Sequence, residues 1–199
     1  MKKQRQARTL RPGLAGGMVG TAGESSREWV DAVLVLLGGL MAGFEAHYGY
    51  APDENEVVRR SVALDEATSA GLVGLGAPGE LVGFYAVVGE VSLPDVGSGW
   101  FIDSAEDVVA FARDGVRPAG VSGALDGGIV VFGTDGGGGL LAIAGVDGRV
   151  YRLREGAFVK TMYEVETAGL EVLAADFPGF LRYLLDQVHA AAAPLPPTA

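Results

Sequence analysis

The sequence predicts an α+β fold: an antiparallel or mixed sheet of about five to six strands, packed with about four helices. Three observations carry this. Helical periodicity dominates residues 25–112. Short apolar runs bounded by glycine cluster between Ile129 and Arg154. A single amphipathic helix then closes the chain. Helices first and clustered strands afterwards give α+β rather than a doubly wound sheet.

Ser25 and Glu28 have capping-box spacing, so the first helix is expected to begin there. Val33, Leu36, Leu37, Leu40, Met41 and Phe44 recur at helical spacing and form its apolar face. Residues 49–58 read as a loop and Val58–Leu72 as a second helix. Pro78 and Glu80 open a third helix, with Leu81, Phe84, Tyr85 and Val88 on one face. Leu93-Pro94-Asp95 interrupts the pattern, and Gly99-Trp100-Phe101-Ile102 reads as a short strand.

Ser104 and Asp107 cap a fourth helix, which Asp114-Gly115 ends. Residues 115–128 read as a loop. Ile129–Phe132 and Leu140–Ala144 have the composition of buried strands. Val150–Arg154 alternates, as a half-exposed strand does, and Asp147-Gly148 is a strong hairpin signal. Phe158–Tyr163 adds one more strand. Asp176 caps the closing helix, whose Phe177, Phe180, Leu181, Leu184 and Val188 share a face.

Four segments follow: a disordered basic tail at 1–24, an accessory helix and loop at 25–57, the α+β domain at 58–190, and a disordered Ala/Pro tail at 191–199. Met18 is a second candidate for the start of the chain. The basic tail is followed by no apolar run long enough for a secretory signal. The longest uncharged apolar run, Ala32–Phe44, is too short to span a bilayer, so no membrane segment is expected.

The chain contains no cysteine, which excludes disulfides, thiolate catalysis and zinc–thiolate sites. A reducing, cytoplasmic location is expected on that ground. The net charge of −10 is unevenly spread: residues 1–27 hold Lys2, Lys3, Arg5, Arg8, Arg11 and Arg27 against Glu24, leaving −15 on the rest. So acidic a body repels nucleic-acid backbones and attracts basic protein surfaces.

Gly133-Thr134-Asp135-Gly136-Gly137-Gly138-Gly139 admits three readings. A phosphate-cradling loop needs Lys and Ser/Thr directly after the glycines, where Leu140 and Leu141 stand. Gly137, Gly139 and Ala142 satisfy a dinucleotide pattern, yet Leu140–Ala144 leaves no room for the helix that chemistry requires before Gly145. The third reading is a tight strand connection that uses glycine for its backbone freedom.

No catalytic set emerges from the sequence. His47 and His189 stand at helix ends without a carboxylate at ligand spacing. The pairs Asp53/Glu54, Asp65/Glu66 and Glu106/Asp107 are adjacent, so on a helix they point to different faces. No cofactor or metal is expected.

The segment Ile129-Val-Val-Phe-Gly-Thr-Asp-Gly-Gly-Gly-Gly-Leu-Leu-Ala-Ile, followed by Gly148-Arg-Val-Tyr-Arg-Leu, resembles the SUKH superfamily, which includes the yeast Smi/Knr cell-wall assembly regulators. Leu75-Gly-Ala-Pro-Gly-Glu-Leu-Val-Gly-Phe-Tyr and Leu173-Ala-Ala-Asp-Phe-Pro-Gly-Phe-Leu are similar to two further segments of that family. The resemblance covers residues 58–190. It departs from the family at Val87–Glu90, where an Asn-Gly pair is common, and at Leu140, where an aspartate or asparagine is common.

The resemblance implies that Gly133, Asp135, Gly136, Gly137, Gly138, Gly139 and Tyr151 are fold-defining. It also implies a protein-binding role, of the kind bacterial members have as immunity proteins that neutralise toxins, often nucleases. The intracellular regulators of the Smi/Knr type give an alternative without a toxin. On an acidic surface the candidate contacts are Trp100, Asp95, Asp103 and Asp135, with Tyr151 as a second aromatic anchor, and the expected partner is a basic toxin domain.

Overall fold

A computed structural model describes residues 18–193, apart from Ala124 and Asp126. Of the tails expected at 1–24 and 191–199, residues 1–17 and 194–199 lie outside the described residues, and residues 191 and 192 belong to a helix rather than to a disordered tail. The fold is α+β, with five α-helices and ten strands among the described residues. The helices are α1 (Met18–Tyr48), α2 (Glu66–Gly74), α3 (Gly79–Tyr85), α4 (Ala105–Arg113) and α5 (Phe177–Ala192). The strands are β1 (Glu56–Arg59), β2 (Val88–Leu93), β3 (Trp100–Ile102), β4 (Gly120–Gly123), β5 (Gly127–Asp135), β6 (Leu140–Ala144), β7 (Val150–Leu153), β8 (Ala157–Val159), β9 (Met162–Val165) and β10 (Leu170–Ala174).

Seven strands pair antiparallel in the order β1-β2-β3-β5-β6-β7-β10. At its first residues β5 also pairs with β4, which continues through a parallel partner, β9, to β8. One strand therefore serves two sheets. Its side chains alternate accordingly: Val130 and Phe132 join the helix-side core, while Ile129 and Val131 join a smaller core with Val121, Ala142, Tyr151, Tyr163 and Val165. A strand segment covered on both faces favours apolar residues, and its middle, Ile129–Phe132, is a continuous apolar run.

The larger core lies between the sheet and α1, α3 and α5. Phe132 meets Phe177 and Phe180 edge to face at 5.6 and 5.3 Å, and Phe84 reaches Phe177 at 5.2 Å and Trp29 at 5.9 Å. Trp29 Nε1 donates a 2.7 Å hydrogen bond to the Leu181 carbonyl, which locks α1 to α5.

Several expectations are corrected here. The strand count is higher than five to six, because β1, β2, β4 and β10 each lack a local signal. Residues 58 and 59 belong to a strand, and the second helix starts only at Glu66, where Asp65 accepts from the Thr68 amide at 2.9 Å. Phe158–Tyr163 is two strands, joined through Lys160 at a positive φ of 59°.

The first helix starts at Met18, not at Ser25, so residues 18–24 are helical rather than part of a disordered tail. Nor is that helix an appendage: Trp29, Val30, Val33, Leu37, Leu40 and Phe44 are buried in the common core. Burying six such side chains contributes about 2 kcal/mol each, which outweighs Gly38 and Gly39 at about 1 kcal/mol each. By length and composition, Ala22–Tyr48 would suffice to cross a membrane, with mean hydropathy 1.6 and 33% of its most apolar stretch buried. The charged residues Glu24, Arg27, Glu28 and Asp31 lie within this same helix.

Candidate functional site

The glycine cluster forms the turn between β5 and β6. Strand β6 starts directly at Leu140, so no helix opens at the glycines and no dinucleotide site forms. Gly138 turns the chain at φ 85°, and its amide closes the turn on the Asp135 carbonyl at 3.2 Å. Two neighbouring glycines are required by contact rather than by φ. A Cβ on Gly133 would strike the Phe101 carbonyl, and one on Gly136 would strike that of Ser98.

Asp135 organises this turn from inside. Its Oδ1 accepts from the Gly137 amide at 2.9 Å and the Gly139 amide at 2.6 Å. Its Oδ2 accepts from Arg154 Nη2 at 2.6 Å and Arg152 Nη1 at 3.4 Å. Burial pushes its carboxyl up, but the Arg154 hydrogen bond and the two loop amides outweigh burial and hold it below the usual carboxylate range. A phosphate cradle needs free loop amides, and here a buried carboxylate takes two of them.

The predicted fold-defining residues are thus brought together around one carboxylate, with the exception of Tyr151. That ring lies in the smaller core, and its hydroxyl donates to Asp147 Oδ2 at 2.6 Å, bracing the Asp147-Gly148 turn between β6 and β7.

Among the expected partner contacts, three are corrected. Trp100 is 2% exposed, Tyr151 4% and Asp135 3%, so none can anchor a partner from the surface. Trp100 packs on Phe180 and Tyr183, under the Arg152 guanidinium at 5.8 Å. Alternation in β3 explains this: Trp100 and Ile102 face the core and Phe101 lies between them.

Asp103 is half-buried at the start of α4 and pairs with Arg117 at 3.3 Å. Burial, only partly offset by Arg117, raises its carboxyl above the ordinary value. Arg60 grips Glu106 on the same helix through two hydrogen bonds of 2.8 and 2.9 Å.

Asp95 is the one predicted contact placed at an open site. Its Oδ2 accepts from the Asp53 amide at 2.8 Å and Asn55 Nδ2 at 2.6 Å. Among the described residues no cation pairs with it. It lines a bowl of about 380 Å³ with Phe44, Tyr48, Tyr50, Pro94 and Gln187. Tyr48 sits one helical turn after Phe44 at 4.4 Å, and Gly49, at φ 79°, ends α1 and turns the chain so that Tyr50 comes back to Phe44 at 5.5 Å. The two tyrosines remain 43% and 59% exposed.

Neither tyrosine stood out in the sequence. The available signal was an aromatic pair flanking a glycine at a helix end, but only the tertiary fold brings Asp95 to it. No family model matches the chain, and no curated protein matches it.

Proposed function

We propose that the chain is a non-catalytic protein-binding domain, an immunity protein that binds and neutralises a basic, nuclease-type toxin domain in the cytoplasm. The observation that carries this reading is the exposed pair Tyr48 and Tyr50 beside Asp95, a carboxylate without a cationic partner among the described residues. Exposed tyrosines are typical anchors of protein interfaces, because they bury large area at low entropic cost. The acidic body adds long-range attraction to a basic partner, the charge class of a domain that holds phosphate. The segments that resemble the SUKH superfamily support the same role.

The test mixes the purified protein with the toxin domain encoded beside it, by calorimetry at low and at high salt. A complex with micromolar or tighter affinity that weakens as salt rises supports the proposal. Absence of a complex at micromolar concentrations overturns it.

A further inference from the structure

Two features of the bowl between the end of α1, the β2–β3 loop and α5 converge on one ligand chemistry, and a third supplies a probe beside it. The first is its aromatic wall. Phe44, Tyr48 and Tyr50 stand with ring centres 4.4 to 6.1 Å apart, and the two tyrosines are open to solvent. Such faces attract a flat cation by its charge and by stacking.

The second is charge. Asp95 lines the bowl, and Asp53 adjoins it through the hydrogen bond its backbone amide donates to Asp95. The neutral donors that Asp95 does engage, the Asp53 amide and Asn55, fix one carboxylate oxygen and leave its charge uncompensated. A buried salt bridge would have closed the site. This arrangement leaves it open to a cation from outside.

The third lies behind the bowl. Trp100 is buried, and its Nε1 has no hydrogen-bond partner. It sits beside Gly97, 3.6 Å from where a Cβ on that residue would stand, and Gln187 Oε1 is 4.0 Å from the same point. Gly97 and Gln187 both line the bowl. A buried donor without an acceptor is costly and rare in a finished interior. An indole N–H asks for an acceptor, which a guanidinium does not carry, so Trp100 bears on the bowl only as a neighbouring probe.

We infer that this bowl receives an arginine side chain of a protein partner, its guanidinium stacked on Tyr48 and Tyr50 and directed to Asp95. The inference rests on the protein-binding reading and names the contact that such a partner would make. Arginine fits better than lysine, since a planar, weakly hydrated guanidinium can stack and bond a carboxylate at once.

The experiment needs no toxin. The full chain, labelled with ¹⁵N, is titrated with N-acetyl-arginine amide, with the lysine analogue, and with N-acetyl-citrulline amide, a neutral isostere of the first. The two tryptophans give two indole resonances. Trp29 is hydrogen-bonded to Leu181 in the core and serves as the fold control, while Trp100 reports on the bowl.

The expected result is a saturable shift of the Trp100 indole with arginine, at an apparent Kd on the order of 1 to 10 mM for a single side chain. Citrulline should bind about tenfold more weakly, and lysine should fall between them. Asp95→Asn, and separately Tyr48→Ala with Tyr50→Ala, should weaken arginine binding about tenfold while the Trp29 resonance stays in place. Absence of saturable binding, equal binding of arginine and citrulline, or binding unchanged in both variants would overturn the inference. If the bowl ignores arginine, the inference falls even where a toxin binds. If arginine binds and no toxin does, the inference stands and the toxin reading falls.

Discussion

Arg154 Nη2 lies 2.6 Å from Asp135 Oδ2, and that ion pair reaches across from β7's end to the turn between β5 and β6. The carboxylate has no exposed side-chain surface, whereas the guanidinium is 41% exposed. The pair therefore differs from a surface salt bridge: one partner is inside, and its other oxygen holds two loop amides.

Replacing Asp135 by Ala should cost about 3 kcal/mol, since it leaves two amides without their acceptor and Arg152 and Arg154 without their counter-charge. Arg154→Met should cost less, about 1 kcal/mol, because the exposed guanidinium loses little on release to water. Urea denaturation of both variants at neutral pH measures the difference. Equal losses would show that Arg154 supports the turn as much as Asp135 does.

Asp135 and Asp103 should act on stability with opposite sign as pH falls. The folded Asp135 carboxyl titrates below its unfolded value, so its contribution is full above about pH 4 and is lost as pH drops through the lower, folded value. The folded Asp103 carboxyl titrates above its unfolded value. Its contribution is unfavourable at neutral pH, and that cost is relieved as pH falls from the raised value toward the unfolded one. Asp103→Asn should thus leave stability at pH 7 within about 1 kcal/mol of the parent and remove the relief on acidification. Thermal melts of the parent and Asp103→Asn between pH 7 and pH 3 test this. A loss at pH 7 as large as that of Asp135→Ala would contradict it.

Alanine in place of glycine sorts the turn by mechanism. At Gly133 and Gly136 the new Cβ meets backbone carbonyls that cannot move without breaking strand pairing, so a loss of about 3 kcal/mol or more is expected. At Gly138 the space is open and only the φ of 85° is unfavourable, so about 1 kcal/mol is expected. Circular dichroism with denaturant midpoints would rank the three.

Trp29→Ala should cost about 4 kcal/mol through the cavity and the lost bond to Leu181. A chain lacking residues 1–48 should fail to fold as a monomer, because it uncovers Phe84, Phe177 and Leu181 together. A soluble, cooperatively melting fragment of that length would show instead that the rest of the domain is self-sufficient.

Legibility in the sequence followed local chemistry. The Ser104 and Asp176 caps, the Asp147-Gly148 turn and the apolar face of α5 all form as read, because each signal spans only a few residues. Strands β1, β2, β4 and β10 are not legible. Each has a partner far along the chain, and Gly120-Val-Ser-Gly123 carries glycines that locally favour a loop. The alternation in Val150–Arg154 suggests a half-exposed strand, yet Val150, Tyr151 and Leu153 are buried and Arg152 is drawn inward by Asp135 and Trp100. The candidate site was half legible: Asp95 was singled out, but the tyrosines it faces come from the far end of α1.

The sharing of β5 between two sheets has a kinetic consequence. With the helix-side core on one face and the smaller core on the other, exposing the middle of that strand requires both cores to be breached. Local fluctuations should spare it, so the amides of Val130, Val131 and Phe132 should exchange with solvent only through global unfolding, last in the molecule. The β8–β9 hairpin, with β8 exposed along its length, should exchange first. The domain is then sealed along its middle and frays from one rim.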